Sequence, residues 1–127
     1  MDLKDKEFFE FREQFSCKCG CGLNNVQDDF LNKLFFAQNI SGVKFLITSG
    51  CRCQKHNLEV GGSPDSASLL GVHADIAFID TFNCFLIFKA LIGAGFERIR
   101  LYPRHIHVDQ HPRFPVPSIS LGSYSNP

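Results

Sequence analysis

Between Asn25 and Asn39 apolar side chains recur at helical spacing. Val26, Phe30, Leu34 and Ala37 form one stripe, with Leu31 and Phe35 beside it, which predicts a helix with one face on the core. Asn24 or Asn25 is placed to cap its start. Upstream, Phe8, Phe9, Phe11 and Phe15 stand among charges and predict a helical turn or two docking on that core. Gly42 breaks the chain, and Val43-Lys44-Phe45-Leu46-Ile47-Thr48 reads as a strand ending at Ser49-Gly50. Cys51 to Pro64 reads as a long polar loop with a helical turn at Gln54 to Leu58. Val72 to Ile79 is a second predicted strand. Asp80 or Thr81 then caps an apolar helix from Phe82 to Ala94, stopped by Gly95. Because it is apolar nearly all round, this helix is expected to be the buried one. Arg98 to Tyr102 and His105 to Asp109 alternate like strands about a turn at Pro103-Arg104. The tail from His111 carries four of the six prolines and is expected to be irregular and surface-lying, His111 included. This order predicts an α+β fold, with helices packed on one face of a small, mainly antiparallel sheet.

The 127 residues suit one domain, and fourteen Phe with no Trp predict a Phe-rich core. Thirteen basic residues balance thirteen acidic ones, so a nucleic-acid partner is not expected. The start of the chain is charged, without an apolar h-region, and no apolar run reaches membrane-spanning length. The expectation is synthesis in a cytoplasm without a signal peptide, and action on any external substrate only after lysis or delivery.

Five of the six cysteines fall in two groups, Cys17, Cys19, Cys21 and then Cys51, Cys53, while Cys84 sits alone in the apolar helix as packing. In a reducing compartment clustered thiols favour metal over disulfides. The C-x-C spacing nevertheless differs from the C-x-x-C knuckle of ordinary structural zinc sites. Three readings stay open: a second, structural zinc on Cys17, Cys19, Cys21, Cys51 and Cys53; reduced thiols packed in the fold; or disulfides formed after release.

The polar residues inside the predicted strands carry the candidate chemistry. His73 and Asp75 are two apart, as are His105, His107 and Asp109, and residues i and i+2 of a strand share a face. A zinc hydrolase needs three protein ligands and one open position. His73, Asp75 and His107 are the candidates. A lone strand His is more often a hydrogen-bonded structural residue, and three candidates with matched facing bring the metal reading level with that one.

Ser49-Gly50-Cys51-Arg52, His56-Asn57, Val60-Gly61-Gly62, Gly71-x-x-Ala74-Asp75 and His107-Val108-Asp109 follow one another in an order and spacing that resembles the M15 zinc peptidases. That family comprises D-Ala-D-Ala carboxypeptidases and L-alanyl-D-glutamate endolysins. The run at 17 to 22 looks like its short phage-type members, and the resemblance spans roughly residues 8 to 110. It implies a Hedgehog/D-Ala-D-Ala-peptidase-like single domain, with a peptidase region at 1–110 and a tail at 111–127. The family's metal motif reads Ser-x-His-x-x-Gly-x-Ala-x-Asp, followed later by His-x-Asp. Asp75 and His107 match its ligands. Ser68 stands where the first His would be, and His73 stands where the small Ala would be. His73, sharing a face with Asp75, is read as the replacement ligand. Arg52 matches the arginine that holds a substrate carboxylate or carbonyl, a task suited to a fork of donors. His105 matches a histidine that assists the transition state in some members, and Asp109 an orienting residue. Many members carry an acidic general base where this chain has Arg104, which takes no proton from water. His105 or a differently placed carboxylate would serve instead.

The resemblance thus implies a zinc-dependent peptidase that cleaves an amide bond in the peptidoglycan stem peptide, as carboxypeptidase or endopeptidase, in phage-type lysis or entry. It would act as a monomer, with His105 and Arg52 as catalytic residues and His73, Asp75 and His107 on zinc. The alternative is a catalytically degenerate relative that binds zinc or wall peptide, favoured by Ser68 and Arg104. A third reading, a Cys-cluster zinc or redox protein, lacks a C-x-x-C pair.

Overall fold

A computed structural model describes residues 2–122. The elements run α1 (Leu3–Glu13), α2 (Asp28–Ser41), β1 (Leu46–Ser49), α3 (Gln54–Glu59), β2 (His73–Ala77), α4 (Thr81–Gly93), β3 (Arg98–Leu101), β4 (His105–Asp109) and β5 (Ser118–Leu121). The strands form one sheet in the order β1-β2-β4-β3-β5, antiparallel except for the β3–β5 pair. The α+β architecture with a small, mainly antiparallel sheet is the one expected.

Strand alternation divides the sheet into two chemistries. Ala74, Ile76, Ile99, Ile106 and Val108 are buried in the core, while the intervening residues of β2 and β4 are His73, Asp75, His105, His107 and Asp109. The phenylalanines build most of the rest. Phe8 and Phe11 of α1 pack on Phe35 with ring centroids 5.1 and 5.4 Å apart, and Phe15, Phe30 and Phe96 continue the chain of ring contacts. Edge-on and tilted pairs like these add to the area they bury. α1 is longer than the turn or two expected, because Asp2 caps it by accepting from the Asp5 backbone N–H at 2.9 Å.

Other boundaries move for reasons outside the local sequence. α2 starts at Asp28 with no side-chain cap, since neither Asn24 nor Asn25 serves there. Instead Asn24 donates to the Arg12 carbonyl and Asn25 to that of Leu69, which ties the segment before α2 to two distant parts of the chain. Gly71 makes that approach feasible: a Cβ there would lie 2.0 Å from the Asn25 carbonyl oxygen. β1 begins at Leu46 rather than Val43. On its outer edge, Gln38 accepts from the Phe45 N–H and Gln14 from the Ile47 N–H, which covers backbone donors an open edge would expose.

Two expectations fail. α4 is not the buried helix: it buries Ile87, Ala90 and Leu91, while Phe82 and Phe85 remain 68% and 59% exposed. A helix packed on one layer buries one stripe only, so an apolar sequence all round reports no orientation. The tail is not irregular throughout either. β5 pairs with β3 from Arg98↔Ser118 to Leu101↔Leu121. His111 is buried, donating its backbone N–H to Asp109 and placing Nε2 2.8 Å from the Asp65 carbonyl. Residues 123–127 of the expected tail lie outside the described residues.

Candidate metal centre

β2 and β4 pair with His73↔Asp109, Asp75↔His107 and Ala77↔His105 in register. This places Asp75 directly across from His107, and His73 one side-chain step along the same face. One ligand-type atom each from His73, Asp75 and His107 lies within 4.8 Å of the others. His73 Nε2 is 3.0 Å and His107 Nδ1 3.2 Å from the same oxygen, Asp75 Oδ1. The strand pair therefore brings these three predicted residues together.

The outer atoms of both imidazoles are engaged. His73 Nδ1 is 3.0 Å from the Gly50 carbonyl. A carbonyl only accepts, so Nδ1 donates there, and Nε2 is left to face Asp75 and His107. Ser68 Oγ, at the position of the family motif's first His, lies 2.8 Å from the same Nδ1. On the other side, His107 Nε2 donates to Asp109, which also accepts from Arg98 at 2.9 Å. That leaves Nδ1 turned towards Asp75. A histidine that donates its far N–H to a carbonyl or carboxylate is oriented as metal-binding histidines are. The donor set of two imidazoles and one carboxylate, each outer proton committed, fits zinc.

Electrostatics follow from this packing. Burial pushes the Asp75 carboxyl up, but the His73 charge and the His107 hydrogen bond outweigh it and hold the group well below the usual carboxylate range. Burial likewise pushes His107 down, yet its hydrogen bonds to Asp109 and Asp75 prevail and raise it to about 9. Asp109, raised by burial, is brought below its ordinary value by the same His107 contact. His105 has no such partner. Burial lowers its pKa, only partly opposed by Asp75. Its Nε2 is buried without a hydrogen bond and 3.9 Å from Asp75 Oδ1, and its ring stacks on Tyr102 at 4.4 Å.

His73, His107 and Asp109 line a cleft of about 200 Å³ that Arg52 also enters, with Asp75 and His105 behind its lining. Arg52 Nη1 donates to Asn57 Oδ1 at 3.0 Å, and Asn57 in turn donates to the Ser63 carbonyl. The pair closes over Gly62, where a Cβ would meet Asn57 Oδ1 at 2.1 Å and Arg52 Nη1 at 2.7 Å. The glycine is therefore a requirement of close approach. Arg98, Arg100 and Tyr102 line the same cleft, and Arg100 Nε is buried without a partner. Sequence reasoning read 98–102 only as a strand. Its alternation already put these three residues on one face.

The cysteines divide differently from the expected five. Cys17, Cys19, Cys21 and Cys53 form a second group with sulfurs within 4.8 Å of one another. Cys51 is not in it: the side chain is buried, with Sγ 3.7 Å from Asn24 Oδ1. Residues 51 to 53 are not part of a strand, so their i, i+2 spacing does not keep Cys51 on the side of Cys53. All six thiols are free.

The family model for Peptidase M15 matches residues 7–109. No curated protein and no solved structure matches the chain.

Proposed function

Because the chain belongs to the peptidase M15 family of zinc-dependent metallopeptidases, we propose that it hydrolyses an amide bond in the peptidoglycan stem peptide, as carboxypeptidase or endopeptidase, on cell wall reached after lysis or delivery. The observation that carries this reading is the convergence of His73 Nε2, Asp75 Oδ1 and His107 Nδ1 beside a cleft containing Arg52. His73, Asp75 and His107 would hold the zinc. When bound, the zinc supplies Lewis acidity to the scissile carbonyl and the attacking water. Arg52, braced by Asn57, offers paired N–H donors to a substrate carboxylate or carbonyl. His105 takes the water proton at Nε2 and returns it to the departing amide nitrogen. Burial keeps its imidazole neutral near pH 7, and Arg104 at the family's acidic position offers no lone pair. Ser68 and Asp109 orient His73 and His107 through their outer nitrogens.

Purified peptidoglycan incubated with the zinc-loaded protein should release stem-peptide fragments with new amino groups. Chelator, His73→Ala or Asp75→Ala should each stop the release. A second reading, a non-catalytic wall-binding relative, is favoured by Arg104 standing where the family places its base. Unchanged peptidoglycan from several wall types, with protein retained on the insoluble wall, would replace the first reading by the second.

A further inference from the structure

The sulfurs of Cys17, Cys19, Cys21 and Cys53 converge one residue from Arg52, and the proposed hydrolysis makes no use of them. We propose that these four cysteines bind a second zinc ion, structural in role, which clamps the loop after α1 to the segment entering α3. Cys17 Sγ and Cys19 Sγ are 3.5 Å apart, Cys19 Sγ and Cys53 Sγ 3.8 Å, and all four sulfurs lie within 4.8 Å of one another. In a tetrahedral tetrathiolate with zinc–sulfur bonds of about 2.3 Å, neighbouring sulfurs are about 3.8 Å apart. A disulfide would need about 2.05 Å.

The local chain explains how C-x-C-x-C delivers three ligands to one point. In an extended strand, Cys17 and Cys21 would be about 13 Å apart. Gly20 and Gly22 both take φ +88°, a left-handed conformation that glycine adopts without strain. Cys17 N–H donates to the Leu23 carbonyl at 2.8 Å and closes the loop. The fourth ligand then arrives from a segment distant in sequence. Cys53 N–H donates to Cys17 Sγ at 3.4 Å, and His56 N–H to Cys53 Sγ at 3.3 Å. Backbone donors aimed at sulfur favour the thiolate form that binds metal. On binding, each thiol releases its proton to solvent and each sulfur donates a lone pair to zinc, with no change of oxidation state.

This site stands apart from the His73, Asp75 and His107 reading, and one set of measurements separates them. The full chain, purified under reducing and zinc-replete conditions, is expected to hold two zinc ions. Cys19→Ser with Cys21→Ser, both at exposed positions, is expected to hold one, and so is His73→Ala. Cys51→Ser keeps two. Because a thiolate variant can misfold, the wild-type chain is also loaded with cobalt. An intense near-ultraviolet thiolate-to-cobalt band is expected, and it should persist in His73→Ala. A single zinc that His73→Ala removes, with no thiolate band in the cobalt protein, overturns the proposal. Two zincs retained by the double Cys variant also overturn it. A single zinc lost with the cysteines, but kept in His73→Ala, supports the Cys site and sinks the catalytic-zinc reading instead.

Discussion

The two groups of metal-type donors differ in what holds them before any ion arrives. His73, Asp75 and His107 stand on two paired strands whose register sets their separation, and each imidazole is fixed by a second partner, Gly50 and Ser68 for one and Asp109 for the other. The four cysteines stand on a glycine-turned loop and on the residue before a six-residue helix, and the links among them are mostly sulfur contacts. A preformed site gives up little conformational entropy on binding metal, and so metal adds function there more than shape. A loosely tied site orders chain when it binds, and its metal stabilises the fold itself.

The largest expected effect tests that contrast directly. Stripping zinc from the Cys group should destabilise the chain by about 4 kcal/mol at free zinc a thousandfold above Kd, read as a drop in the thermal midpoint. Zinc at the strand-borne site must replace the contacts of His73 and His107 with Asp75 Oδ1, so stripping that site alone in the double Cys variant should move the midpoint less. An equal or larger shift from the His73, Asp75 and His107 site would reverse the comparison.

A second test sharpens what the strands position. Gly62→Ala introduces a Cβ into the space of Asn57 Oδ1 and Arg52 Nη1. It is expected to raise KM for stem peptide by about tenfold or more, the scale of a displaced substrate anchor, while zinc content stays unchanged. Steady-state kinetics beside metal analysis checks it, and a fall in zinc with KM unaltered would detach Arg52 from the cleft's function. A third, smaller change is Ser68→Ala. His73 Nδ1 keeps the Gly50 carbonyl and loses the hydroxyl, so zinc affinity at that site should fall by about tenfold. Competition with a chromophoric chelator would measure it.

The same division between paired strands and loops governs how much could be read from the residues. Alternation alone put His73 with Asp75 and His105 with His107 and Asp109, because period two is a local property. It was silent on which residue faces which across the ladder. That Asp75 meets His107, while His105 is displaced to Ala77, is a matter of register fixed by packing. The Cys cluster was harder still. C-x-C spacing in an extended chain spreads its sulfurs, and the turn through Gly20, whose N–H donates to the Cys17 carbonyl, draws them together. Asn24 and Asn25 resembled helix caps, since their true partners lie 12 and 44 positions away. β5 was hidden by flanking prolines and by a parallel partner twenty residues upstream. Arg98 and Arg100 were visible as alternating strand residues, but nothing local said that their face was the cleft.

The smallest effect concerns protonation of the strand-borne site without metal. His107 is raised to about 9 by its bonds to Asp109 and Asp75, above the ordinary value of about 6.5. A raised folded-state pKa contributes stability fully present below the unfolded value and lost as pH climbs through the folded one. In the metal-free chain this contribution should therefore be intact at pH 6 and gone by about pH 10. Asp75 and Asp109 are lowered, so their contributions are present above the ordinary carboxylate range and fade only in acid, outside this window. The His107 side chain is 22% exposed, and solvent screening reduces the expected size to about 1 kcal/mol. Burial raises the Cys17 thiol, but hydrogen bonds to its sulfur outweigh it and lower it to about 7, inside the same interval, which is why the readout is a difference. The stability gap between metal-free wild type and metal-free His107→Gln, measured by urea unfolding, should narrow by about 1 kcal/mol between pH 6 and pH 10. Zinc binding must displace the same proton, so affinity at this site should rise over that interval while the gap closes. A gap that stays constant with pH would mean that His107 is held neutral in the apo chain, and that the strand-borne site binds zinc without releasing a proton from it.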